Sequence, residues 1–153
     1  MFIGHLPAGY LAARTLWPDT ARTIMIAALI GSVLPDIDML YFYLIDARST
    51  HHHEYITHRP ILWLGVLLAG LLLRRTPIIA LGLAALLHMV LDSIVGKIAW
   101  GWPISHHAEP FVVVPATHDF WVFSFLTHWT FKVEIAITLL ALFVAWRANF
   151  RST

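Results

Sequence analysis

Imidazole stands out among the reactive side chains of this sequence: ten histidines in 153 residues equal the lysines and arginines together. They cluster beside carboxylates. His88-Met89-Val90-Leu91-Asp92 sets an imidazole and a carboxylate four residues apart, so on a helix both point at one spot. Metal sites built on helices use this spacing; a hydrogen-bonded or proton-relay pair is the plainer alternative. Leu34-Pro35-Asp36-Ile37-Asp38 puts two carboxylates beyond the middle of an apolar segment. A lone carboxylate there costs several kcal/mol unless it is paired, hydrated or metal-bound. Pro35 could simply end the helix and let both aspartates reach headgroups. The preferred expectation is that the helix unwinds at the proline and both carboxylates reach a cation.

The densest cluster is His51-His52-His53-Glu54-Tyr55-Ile56-Thr57-His58-Arg59. Neutral imidazole is the commonest metal ligand, and carboxylate oxygen completes many hydrolytic sites. His53 and His58 are the expected ligands, ahead of His51 and His52. Thr57 could orient a ligand or substrate, and Arg59 could hold a phosphate through two parallel hydrogen bonds. Further along, His106, His107, Glu109 and His118 could each complete a ligand shell or serve as general acid. The chain has no cysteine, which removes disulfides, thiolate ligands and thiol catalysis together. Its net charge of +1 gives no basic field for nucleic acid.

The elements that must position these groups are apolar. The sequence is 59% hydrophobic and only 12% charged, with a mean hydropathy of +0.73. Soluble domains carry about 25% charged residues. Too little charge is present to clothe a water-facing sphere, so an integral membrane protein is expected, with one domain over residues 1–153. Met1-Phe2-Ile3-Gly4-His5 lacks the basic stretch and cleavage site of a signal peptide, so the mature chain is expected to carry the membrane character.

A short apolar stretch covers 2–17, and residues 17–20 read as a turn with a helix cap. Thr23 to about Ile45 is long enough to span a core of roughly 30 Å, with an interruption at Pro35. Ile61 to Leu73 is a short apolar segment, Arg74-Arg75-Thr76-Pro77 a tight turn, and Ile78 to Val95 a second span. Residues 96–120 read as a loop, 121–130 as an interfacial aromatic stretch, and Val133 to Trp146 as a last helix. The expected fold is an all-α membrane bundle of about four to five spanning or partly spanning helices.

With the Arg74-Arg75 turn in the cytoplasm, Arg14, Arg22, Arg147 and Arg151 fall on the same side. Arg48, Arg59, Lys97 and Lys132 fall opposite, as the positive-inside rule favours. His5, Asp36, Asp38, the 51–58 cluster, His88 and Asp92 then share the outer half. Such sorting argues for one polar site near one face.

These motifs, with a Gly-Trp-Pro stretch after the HxxxD element, resemble the YdjM-like family over roughly residues 1–115. That family is described as LexA-regulated, inner-membrane-associated metal-dependent hydrolases. The resemblance implies metal-binding positions at His5, Asp36, Asp38, His53, His58, His88 and Asp92. The family pattern has His-Arg before the Thr-His pair and Ser after it. Here His53-Glu54 precedes and Arg59 follows, which leaves the choice among His51, His52 and His53 open. Ligand order is also similar, more distantly, to the zinc-dependent phospholipase C and P1 nuclease group, whose members cleave phosphoesters with a zinc cluster.

The expected function is a hydrolase of the bacterial or archaeal inner membrane, with its site on the outer face. It would cut a phosphoester, in a lipid or another substrate, with two or three divalent ions, zinc first among them. Asp36 is the candidate general base and Arg59 the phosphate clamp. A metal-ion or proton transporter is the alternative. It would need ionisable groups in the inner halves of the spans, and 23–33 and 78–87 contain none. A b-type haem protein would leave the aspartates unexplained.

Overall fold

The computed structural model describes residues 3–19 and 21–150, and every regular element among them is helical. Helix α1 spans His5–Leu16 and α2 spans Arg22–Gly31. A 3-10 turn at Leu34–Ile37 leads into α3, Asp38–Leu44. Two more 3-10 turns, His52–Glu54 and Ile56–His58, precede α4 at Pro60–Leu72. Then follow α5 (Thr76–Asp92), α6 (Trp121–Thr127) and α7 (Trp129–Phe150).

Proline explains where several of these begin or break. Pro60 and Pro77 sit in the first turns of α4 and α5, where a missing N–H costs nothing. Pro35 follows Gly31 by four residues, so its ring opposes the carbonyl that a continuous helix would present. The chain leaves α2 there, and the axes of 22–31 and 34–44 meet at 54°. The α4–α5 turn closes as a Schellman motif: Arg75 N–H reaches Gly70 O at 2.9 Å and Arg74 N–H reaches Leu71 O at 3.1 Å. Arg74 takes the left-handed conformation this needs, at φ 52°.

Helix α5 is the centre of the bundle, packed against α2 and α4, with α1 lying on α2, α5 and α7. The contacts are made by small residues. Ala13, Ala28, Ala80 and Ala84 form one buried cluster; Trp63, Ala85, Met89 and Ile98 form another nearer the polar end. Small side chains let backbones approach closely where lipid supplies no hydrophobic drive between helices. At Gly82 a Cβ would stand 2.8 Å from the Leu67 nitrogen, so this crossing admits no larger residue. Large apolar side chains instead face outward, among them Leu44, Leu68, Leu72, Leu139 and Leu142.

The all-α expectation holds for the described residues, but the spans are shorter than the sequence suggests. Trp129–Ala148 is the one described helix long and apolar enough to cross a membrane by itself. The bent pair 22–31 and 34–44 passes the same test only when joined, and α4 and α5 are short apolar helices. The last helix also starts earlier than expected, at Trp129. The cap expected at 17–20 is not seen: α2 begins after Ala21 with no side-chain cap, and Thr20 lies outside the described residues.

Candidate metal centre

Chain direction alternates along α1, α2, α4, α5 and α7, which brings the first turn of α1, the end of α2, the 51–58 segment and the last turns of α5 together. Asp92 lies at the focus, 2% exposed. One of its oxygens, Oδ1, is 3.1 Å from His5 Nε2. The other, Oδ2, is 3.0 Å from His88 Nε2, 3.5 Å from His58 Nε2 and 3.7 Å from His53 Nε2. Asp36 closes the group from the bend after α2, its Oδ1 at 3.6 Å from both His58 Nε2 and His88 Nε2.

Asp36, His58, His88 and Asp92 each offer a ligand atom, all within 4.8 Å of one another. Two donors on one tetrahedral zinc ion, bonded at 2.0–2.1 Å, are about 3.3 Å apart. The four separations of 3.0–3.6 Å among these atoms bracket that value. Nε2 of His58 and of His88 are buried and without a hydrogen bond, as are both ring nitrogens of His5 and Nδ1 of His53. Buried imidazole nitrogens normally have partners. Several orphans converging on two carboxylates fit a shared cation.

The outer faces of two rings are fixed by the protein. His88 Nδ1 faces the Ser32 carbonyl at 2.8 Å, and His58 Nδ1 faces Asp38 Oδ2 at 2.5 Å. The same Asp38 oxygen accepts from Thr57 Oγ1, while Trp63 Nε1 donates to Thr57 O at 2.7 Å. Metal-binding histidines are characteristically oriented by a carboxylate or carbonyl at the far nitrogen. Asp38 therefore departs from its expected place among the ligands. It stands behind His58, on the opposite side of the ring from Asp36 and Asp92. Asp36 is the most open of the group, its side chain 39% exposed.

His52, His53 and His58 form a second group of suitable ligand atoms. While Asp38 holds Nδ1 of His58, only Nε2 remains, and one nitrogen cannot serve two ions. Burial holds the His53 imidazole down to about 2, and also lowers His52, so both rings stay neutral. Burial acts on His58 in the same sense, but the Asp38 hydrogen bond and the Asp92 carboxylate on the other side of the ring outweigh it and raise the ring above the ordinary value. His5 stacks on His88, with centroids 3.7 Å apart.

The remaining candidates lie farther out. His51 accepts from His53 N–H at 3.3 Å and His106 lines the cavity in front of the cluster. Glu109 faces Lys97 at 3.9 Å and His118 lies against Thr117. Arg59 lines the same cavity, donates to Glu54 O at 2.6 Å and lies over the Trp102 ring. The cavity measures about 1300 Å³ and is walled by Asp36, Asp92 and His53 on its inner side.

Two supporting residues are not evident from the sequence. Glu134 of α7 is fully buried, and its Oε2 accepts from Ile3 N–H at 2.7 Å and Gly4 N–H at 3.0 Å. It thus caps α1 at the residues just before His5. The signal was an acidic residue in an otherwise apolar helix. Gly96 is the other: a Cβ there would run into the His53 ring and stand 2.9 Å from the Asp92 carbonyl oxygen.

These features define an all-helical membrane protein with a buried His/Asp cluster able to hold a metal ion. The chain belongs to the family described as YdjM inner membrane protein, which matches residues 1–152. An inner-membrane location accords with the family and with the apolar helix Trp129–Ala148. No curated protein and no solved structure matches the chain, so the distant likeness to the phospholipase C and P1 nuclease group rests on ligand order alone.

Proposed function

We propose that this protein is a membrane-bound, metal-dependent hydrolase of phosphoesters, working at the outer face of the inner membrane. The observation that carries the reading is the position of the cluster: Asp36 and Asp92, the two carboxylates that orphaned imidazole nitrogens converge on, line a large cavity that Arg59 and His53 also line. In this reading Asp36, His58, His88 and Asp92 hold a first divalent ion, most simply zinc. His5 and the other oxygen of Asp92, with His53, are the groups that remain for a second. Such an ion supplies charge neutralisation at the phosphoryl group and lowers the pKa of water from about 15.7 towards 7.

The chain's own residues do the rest. Asp36, the most open carboxylate of the cluster, accepts the proton of the attacking water. Arg59 holds the phosphoryl oxygens, while Asp38 and Ser32 keep the His58 and His88 rings turned inward. Four or five helices set across or partly across the bilayer, all presenting the cluster at one end, would bring a membrane-resident substrate to it sideways. A carrier would need polar groups along a path through the bundle. Here the helix core away from the cluster is alanine, Ala13, Ala28, Ala80 and Ala84, which supports the one-sided reading.

Metal analysis of the purified protein, with phosphodiester and phospholipid turnover, tests this. Wild type should hold at least one divalent ion per chain, and His88→Ala and Asp92→Ala should each lose metal and turnover by more than 100-fold. Unchanged metal stoichiometry in both variants would end the proposal. Metal-dependent ion flux in vesicles without any turnover would support a carrier instead.

A further inference from the structure

The cavity in front of the cluster is far larger than one phosphoryl group needs, and its wall is charged in a specific way. Arg48, Arg59 and Lys97 line it, against Glu54 as the lining carboxylate not facing the cluster. Once a divalent ion neutralises Asp36 and Asp92, two positive charges are in excess among the lining residues, with Glu109, outside the lining, 3.9 Å from Lys97. Arg48 is held there by its loop. Ala47 and Arg48 take left-handed conformations, φ 47° and 66°, which non-glycine residues adopt at a cost. Asp46 fixes that loop, accepting from Ser49 Oγ at 2.6 Å, Thr50 N–H at 2.8 Å and Tyr55 Oη at 2.7 Å. The turn thereby carries Arg48 over the Tyr43 ring at 4.8 Å, on the cavity rim.

Part of the wall is apolar. Phe42 of α3 and Trp121 and Phe125 of α6 line it. The same two helices expose Leu44 (77%) and Phe123 (56%) outward, so the mouth is flanked by side chains suited to acyl chains. Free phosphate would make no use of this apolar wall.

We propose that Arg48, Arg59 and Lys97 form a binding site for a lipid whose phosphate headgroup carries two negative charges, its chain lying along α3 and α6. A headgroup of that charge, as in a phosphate monoester or diphosphate, matches the excess. A zwitterionic headgroup would place its ammonium against like charge. This inference rests on the hydrolase reading for its charge count, and names the substrate class of that site.

Quenching of tryptophan fluorescence by brominated lipids in neutral detergent tests it on the full chain supplied with zinc. Trp121 lines the cavity and Trp102 lies under Arg59, so both are probes of occupancy. Brominated phosphatidic acid should quench at about tenfold lower mole fraction than brominated phosphatidylcholine. The double variant Arg48→Gln, Lys97→Gln should lose that preference, keep the phosphatidylcholine baseline and retain bound metal. Equal preference in wild type and variant would overturn the proposal, and so would reversal by inorganic phosphate at the lipid's own concentration. If metal is held and the preference is present but no phosphoester is turned over, the lipid site stands and the hydrolase reading falls. If metal is held and turns over substrate without the preference, the reverse is true.

Discussion

Spacing along the sequence reports which groups can meet, but not which side of a ring each will touch. His88 and Asp92 are one helical turn apart and do meet, at 3.0 Å. Asp36 and Asp38 looked equivalent, two carboxylates flanking one isoleucine, yet only Asp36 faces the orphaned Nε2 atoms. Asp38 begins α3 and turns to His58 Nδ1, because the 3-10 turn at Leu34–Ile37 rotates the two side chains apart. That rotation depends on Pro35 and on where α3 packs, which a local motif does not encode. The difference is measurable. Asp38→Asn keeps the volume and a hydrogen bond but removes the charge behind the ring, and such changes typically cost 10–100-fold in metal affinity. Competitive titration with a chelator should show that loss with stoichiometry preserved. Stoichiometry falling as it does in Asp92→Ala would make Asp38 a ligand after all.

Among the elements, α1 and α7 define a dependence that the sequence hid. The apolar run of the last helix is legible, and a helix is expected there, but its role is carried by one buried side chain. Glu134 receives the N–H groups of Ile3 and Gly4, which α1 cannot satisfy internally at its start. His5 follows at once, so α7 positions a group of the cluster from outside it. Removing a buried acceptor costs about 1–3 kcal/mol, mostly through the donors left unpaired. Glu134→Ala should therefore lower the unfolding temperature in detergent by roughly 2–10 °C. As a positioning residue it should also weaken metal binding, and Glu134→Gln, which still accepts, should recover most of both. Equal damage from the two variants would show that the charge of Glu134, rather than its hydrogen bonds to α1, is what matters. The bend at Pro35, by contrast, is visible in the sequence as an interruption; its 54° angle is not, since it depends on how both arms pack, α2 on α5 and the 34–44 segment on the 3-10 turns that follow.

For the molecule as a whole, alternation of the helices converts a pattern of bases into an orientation. The ends of α1, α4 and α7 away from the cluster carry Arg14, Arg74 and Arg147, and α2 and α5 start beside Arg22 and Arg75. The cluster end has Arg48, Arg59, Lys97 and Lys132. Basic residues are retained on the cytoplasmic side during insertion, so the Arg74-Arg75 turn should face the cytoplasm and the cavity should face outward. The absence of cysteine makes this simple to measure, since any introduced thiol is the sole reporter. Ser105→Cys, in the exposed loop beyond the cavity, should react with a membrane-impermeant maleimide in right-side-out vesicles. Arg75→Cys should react only after the membrane is opened. The opposite pattern would place the cluster in the cytoplasmic half and remove the outer leaflet as its source of substrate, while leaving the ligand geometry intact. Labelling of both positions from outside would mean that α5 does not cross. The two short apolar helices α4 and α5 would then be a re-entrant hairpin, with α7 and the bent α2–α3 pair left to hold the protein in the bilayer.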